Sequence, residues 1–341
     1  MRSFTRDAMR RLCVAVLFAL LPLGPGAVAD DFYKGRSIAF VIASAPGGGY
    51  DTYSRLVAAH IGRHLEGRPS VVPQNMPGAS SVRASTYLYN IAPKDGTTIG
   101  MLDEAIYLNQ ILGTQERNTD ATKFNWIGRI LTNSAILFAR HDAPVQKIED
   151  AFTKELVVSA SGAASKLNWT VLKNVLGLKF RIIAGYQGSN DSLLAMMRGE
   201  ADALSMPWSI LRITGEQLLR EKKINLLLQT GAEKDADLPH LPRMIDLARN
   251  DEERKLLELF ASPSLIGRSV LAPPGMPAER VDELRRAFMA TMQDPVFLAD
   301  VKKAKLDLNP MPGEALQDAI SKMGHVPEAL VARARQMAKD N

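Results

Sequence analysis

Cysteine is almost missing: the 341-residue sequence has one, Cys13, inside an apolar run near its start. Beyond that run there is no thiol. Disulfides, thiolate metal sites and cysteine nucleophiles are excluded together, which suits an oxidising compartment. Charge of one sign is also lacking. The formal +5 includes four Arg and one Asp of the first 29 residues, and the remainder carries about +2. Aromatics make up only 6% of the chain and no basic block is interleaved with them, so no nucleic-acid groove is predicted. Lys222-Lys223 and Lys302-Lys303 sit on amphipathic stretches and read as solvated helix faces. Long apolar runs are missing too. The one from Leu12 to Leu23 falls short of the roughly 20 residues that span a bilayer.

Histidine is scarce, with five in the chain. His60 and His64 have a spacing that suits a metal, but no Glu follows His60 and no third ligand is in view. His141, His240 and His325 are scattered, and there is no G-x-S-x-G elbow around which a Ser-His-Asp set would form. Neither a phosphate-binding loop with its Lys-Ser or Lys-Thr end nor a G-x-G-x-x-G fingerprint is present. The reading is therefore a non-enzymatic protein with no metal and no cofactor.

What is there begins with a leader. Arg2, Arg6, Arg10 and Arg11 precede the apolar run, and Ala27-Val28-Ala29 follows it as an A-x-A site. This predicts a signal peptide over 1–29, cleavage after Ala29 and export to the periplasm. The length beyond it, with 46% apolar residues overall, exceeds one ordinary core and predicts two.

The apolar pattern alternates between short β-branched runs and helical periodicity. Ser37 to Ser44 reads as a strand, Asp51 to Glu66 as a helix, Ser70 to Val72 as a strand, Val82 to Ile91 as a helix and Thr97 to Leu102 as a strand. A second series runs from Ala135 to Arg140 through Leu156 to Ser159, Ser165 to Leu176, Phe180 to Ile183 and Asp191 to Arg198 to Ile224 to Gln229. Such alternation predicts parallel sheets with helical crossovers. Connections are placed near Trp126 to Leu131 and Phe260 to Pro263. They divide the chain into 30–130, the first part of domain 1; 131–260, domain 2; and 261–341, a helical completion of domain 1.

Ala45-Pro46-Gly47-Gly48-Gly49-Tyr50-Asp51 lies between a strand and a helix. Its glycines let backbone N–H groups turn toward an anion at the helix N-terminus, and a carboxylate fits there, so Pro46 to Asp51 are read as ligand-binding; a tight turn without ligand is the plainer alternative. Ser161-Gly162-Ala163 repeats the small-residue strand-to-helix turn, as does Gly185-Tyr186-Gln187-Gly188-Ser189-Asn190. All fall outside the carboxyl ends of strands, where open α/β sheets bind ligands, though ordinary loop chemistry needs the same residues. Trp208 supplies either a flat apolar wall to a ligand or a core ring.

Four segments together carry a resemblance: APGGGYD at Ala45 to Asp51, QNMPGASS with APKDGT at Gln74 to Thr97, GYQG with RGEAD at Gly185 to Asp202, and LAPPGMP at Leu271 to Pro277. In that order they resemble the periplasmic receptors of tripartite tricarboxylate transporters, the Bug or TctC-like proteins. The resemblance implies a two-domain Venus-flytrap fold of the type II periplasmic-binding class. It implies a ligand carboxylate held by the backbone of Pro46 to Gly49, aided by Asp103-Glu104-Ala105, with middle-domain loops closing over the rest. It also implies integral membrane subunits as partners of a receptor expected to be monomeric. Ser80 and Ser81 stand where the family tends to have glycine, and Asp103 and Glu104 where it is small and neutral. Two acids repel a polyanion by about 1 to 4 kcal/mol per close pair, so a monocarboxylate, a zwitterion or a cation is favoured over a tricarboxylate. The competing readings are a ligand-sensing partner of a signalling membrane protein, and an exported hydrolase using Asp103 or Glu104 as general base.

Overall fold

The computed structural model describes residues 32–47, 49–78, 81–113, 119–160, 163–186, 188–323 and 326–339. Residues 1–31 with Cys13, and Gly48, Ser80, Ser161, Gly162 and His325, lie outside the described residues.

The first part of the chain forms β1 (Ser37–Ile42), α1 (Gly49–Ile61), β2 (Ser70–Asn75), α2 (Val82–Asn90), β3 (Thr98–Met101), α3 (Ile106–Leu112) and β4 (Asn125–Leu131). The second part forms β5 (Ala135–Arg140), β6 (Leu156–Ala160), α4 (Ala163–Leu176), β7 (Phe180–Ala184), α5 (Ser189–Met197), β8 (Ala203–Pro207), α6 (Trp208–Thr214), α7 (Glu216–Arg220), β9 (Ile224–Gln229) and α8 (Asp251–Ile266). The chain then returns as β10 (Arg268–Ala272), α9 (Ala278–Gln293), α10 (Pro295–Lys303), β11 (Met311–Pro312), α11 (Gly313–Met323) and α12 (Glu328–Met337).

Two sheets result, ordered β11-β4-β10-β3-β1-β2 and β7-β6-β8-β5-β9. Central strands such as β1 and β3 are buried on both faces, as expected of parallel strands covered by helices. Neither sheet is purely parallel, contrary to the alternation read from the sequence. β10 runs antiparallel to both β3 and β4, and β5 runs antiparallel to both β8 and β9. The reason is topological. Each is the first strand made after the chain crosses between sheets, so it enters from the crossing side, where its parallel neighbours end.

The crossing points also correct the sequence reading. Trp126 to Leu131 is not a connection but strand β4, with Trp126, Ile127 and Ile130 fully buried. The chain leaves the first sheet through Thr132, Asn133 and Ser134. Phe260 to Pro263 lies inside α8, and the return to the first sheet is made at Gly267. That helix starts at Asp251, because the Asn250 side chain accepts the Glu253 N–H at 2.9 Å and three acids fill the first turn.

The two crossings touch. Gly267 has φ +50°, and a Cβ there would stand 2.2 Å from the Leu131 carbonyl oxygen and 3.1 Å from Thr132 Cα. Beside them Arg129, only 1% exposed, donates from Nη1 to Leu265 O (2.9 Å) and from Nη2 to Glu233 Oε2 (3.0 Å) and Asn309 Oδ1 (3.1 Å). α11 covers β4, while α12 packs on α3 and also on α4 and α8. The C-terminal helices therefore span both lobes.

Gly267→Ala is expected to cost about 2–4 kcal/mol, since it adds both backbone strain and a clash that side-chain movement cannot relieve. Urea unfolding of the variant against the wild type reads the loss.

Candidate functional site

Strands β1, β2, β3 and β4 of the first lobe, and β6 to β9 of the second, point their carboxyl ends at the same space. A cavity of about 560 Å³ lies there. The first lobe contributes Asp103, Glu104 and Ala105, the first crossing Asn133, the second lobe Ser189, Ser205 and Thr230, and α8 adds Phe260 and Ser264.

Asp103, Glu104 and Ala105 form the turn between β3 and α3, and three bonds hold it. The Asp103 N–H donates to Ser81 Oγ at 2.8 Å, the Glu104 N–H to the Tyr50 hydroxyl at 3.1 Å, and the Ala105 N–H to Asp103 Oδ1 at 2.8 Å. Ser81 has φ +73°, in the left-handed region that glycine occupies most readily. Its hydroxyl gives the turn a bond that glycine lacks.

The Glu104 carboxyl is placed by one bond, from Asn133 Nδ2 to Oε1 at 2.7 Å. Oε2 is buried and has no hydrogen-bond partner among the described residues. Burial and then the nearby Asp103 push its pKa up to about 8, against the pull of Asn133 and Arg268. Burial also raises Asp103. The Tyr50 hydroxyl is held well above its ordinary value by burial, with Glu104 and Asp103 adding to it.

Arg268, which opens β10, is a site residue that the sequence did not single out. Its guanidinium carbon lies 5.3 Å from the Tyr50 ring centre and 5.2 Å from that of Tyr53. A Cβ on Gly49 would meet its Nη2 at 2.7 Å. Its Nε is buried without a hydrogen-bond partner among the described residues.

Among the described residues of the glycine loop, Pro46, Gly47 and Gly49 are exposed and do not line the cavity, and Tyr50 connects the loop to it through the Glu104 N–H. Gly47 has φ +89°, so glycine is needed there for the turn itself. Asp51 is a correction to the ligand-binding set. It is 4% exposed, and its carboxylate accepts the Gly47 N–H (2.9 Å), Arg55 Nε (2.9 Å) and Asn75 Nδ2 (2.8 Å), so its acceptors serve the loop and not a solute.

Of the second-lobe candidates, Ser189 lines the cavity. The Ala163 backbone opens α4, Gly188 precedes α5 as its N-cap and Tyr186 is half-buried; neither Gly188 nor Tyr186 lines the cavity. Trp208 is also outside it. Its Nε1 donates to Asp237 Oδ2 at 3.1 Å, while Arg212 binds the same oxygen and reaches Asp307 of the first lobe at 2.7 Å. His60 and His64 are held by different aspartates, Asp300 (2.9 Å) and Asp294 (3.0 Å).

Residues 54–333 match the family described as the tripartite tricarboxylate transporter family receptor, TctC. A UPF0065 protein of Bordetella bronchiseptica is 24% identical over 306 residues, covering 87% of this chain and 83% of its own. Among solved structures, a TctC solute-binding protein from Polaromonas without ligand has a TM-score of 0.68 at 19% identity, with 89% of this chain and 98% of that one covered. MatC from Rhodopseudomonas palustris with bound malate has a TM-score of 0.56 at 19% identity, covering 89% and 99%. The fold is thus the two-domain α/β fold of periplasmic solute-binding proteins.

The Asp51 bonds hold its carboxyl down to about 2, with Arg55 the first cause and the Gly47 amide and Asn75 behind it. Because this lies below the ordinary 3.8, its contribution to stability is complete above about pH 4 and is lost as pH falls toward 2. Asp51→Ala is expected to cost about 1–3 kcal/mol at neutral pH and to flatten that acid limb, read by thermal unfolding across pH.

Proposed function

Because the chain belongs to the tripartite tricarboxylate transporter receptor family, we propose that it is a solute-binding receptor. It captures a small carboxylate-containing solute in the cavity between its lobes and hands it, chemically unchanged, to the membrane subunits of a transporter of that type. The observation that carries the reading is the cavity itself: it is lined from both lobes and from the helix that joins them, so one solute can touch all three. Malate in MatC supports a carboxylate as the solute class.

In this reading the leader ending at Ala29 is removed and the receptor works in the periplasm as a monomer, with no cofactor. Domain 1 comprises 30–130 and 261–341, and domain 2 comprises 131–260. Asp103, Glu104, Ala105 and Ser189 face the solute directly. Pro46, Gly47 and Gly49, with Tyr50, stand behind them. A bound solute favours whichever arrangement of the lobes lets it contact both, and only to the extent that it does. The membrane subunits read that arrangement.

A thermal-shift screen of the chain without its leader, against carboxylates and amino acids, tests this. A solute at 100 times its Kd adds about 2.7 kcal/mol, a rise of about 5 °C or more for a chain of this size, and it is recovered unaltered. Turnover of the bound compound would point to the hydrolase instead.

A further inference from the structure

We propose that Glu104 selects solutes bearing a protonated nitrogen besides the carboxylate, so that the receptor's substrate class is amino acids rather than di- or tricarboxylic acids. The inference rests on the receptor reading above and concerns the same cavity.

Three observations carry it. First, among the described residues the charged side chains lining the cavity are Asp103 and Glu104, with no Lys, Arg or His beside them. Second, the Glu104 carboxyl is fixed but incomplete: its backbone is held by Tyr50 and its Oε1 by Asn133, while Oε2 is buried with no partner among the described residues. Third, the protein's own neighbouring cation is kept away. Arg268 stays over the Tyr50 and Tyr53 rings beside Gly49 and forms no ion pair with either acid. A buried carboxylate without a partner is costly, so the missing positive charge comes from the solute or the carboxyl stays protonated. A polycarboxylate offers no such cation and would bring further negative charge beside Asp103.

The groups facing Glu104 are Asp103 on its own turn, Tyr50 from α1, Asn133 from the first crossing and Arg268 from β10. Asp103 and burial keep its proton on near neutral pH in the empty site. An ammonium group arriving there displaces that proton. Binding of an amino acid therefore releases a proton to the buffer, and affinity rises from pH 6 to pH 8. If a protonated Glu104 instead donated to a ligand carboxylate, affinity would fall over the same range.

The experiment is isothermal titration of the chain without its leader with the common amino acids, each paired with the acid that lacks the amine, in buffers of different ionisation enthalpy. At least one amino acid is expected to bind tenfold or more tightly than its amine-free match, with proton release. Glu104→Gln preserves the Asn133 bond and the neutral form, so its melting temperature should stay that of the wild type while the amine preference and the proton release are lost. Amine-free acids that bind as tightly as their partners would overturn the inference and leave the receptor standing, and so would a Glu104→Gln variant that keeps both signatures. Failure of every compound to bind would remove the small-carboxylate reading and this inference with it.

Discussion

A guanidinium buried between the lobes ties the architecture together. Arg129 leaves β4 at the point where the chain is about to cross, and its three bonds reach the end of α8, the loop after β9 and the segment before β11. Removing a charge from water costs several kcal/mol unless its donors are met; here a carbonyl, a carboxylate and an amide oxygen meet the two terminal nitrogens, while Nε is buried with no partner among the described residues. Arg129 thereby keeps the outgoing and returning crossings side by side, and Gly267 lets them close to contact. The antiparallel insertion of β5 and β10 follows, and so does the meeting of carboxyl ends from both sheets. α8, the last element before the return, lies against that meeting place and completes the cavity wall.

The turn from β3 to α3 is where this frame becomes chemistry. Its backbone is fixed by the side chains of Ser81 and Tyr50 and by its own Asp103, so the two acids it carries are presented rigidly. Tyr50 links that turn to the glycine loop, and Asp51, the next residue, organises the loop from beneath. The described part of the loop is structural: with the Gly47 amide consumed by Asp51 and Gly47 and Gly49 exposed, it positions α1, Tyr50 and, through the space at Gly49, Arg268. The result is a site with Arg268 at the loop, over the Tyr50 and Tyr53 rings, and two acidic side chains at the cavity.

What was legible in the sequence was local. Ala135 to Arg140 and Ile224 to Gln229 announced themselves as strands because their apolar runs are continuous and bounded by polar residues, and both form with those limits. Asp103 and Glu104 stood out because two acids break a neutral pattern. What the sequence did not disclose depends on distant partners. Trp126 to Leu131 reads like any short apolar run, and only its pairing with β10 and β11 makes it the strand next to the crossing. β8, short and ending at Pro207, is a strand because β5 pairs with it. Arg268 looks like a surface cation until Tyr50, Tyr53 and Gly49, far off in the chain, are folded around it. Asp51 was assigned to the ligand because it follows the glycines, and the carboxylate is committed elsewhere only once Asn75 is brought beside it.

The account stands or falls on whether one solute touches both lobes at this cavity. Hydrogen–deuterium exchange on the chain saturated with the solute that stabilises it most measures that directly. Slowed exchange is expected at the amides of Asp103 to Ala105, at the start of α5 around Ser189 and along α8 near Phe260, all in the same titration. Protection confined to one lobe, or lying outside these three segments, would contradict it.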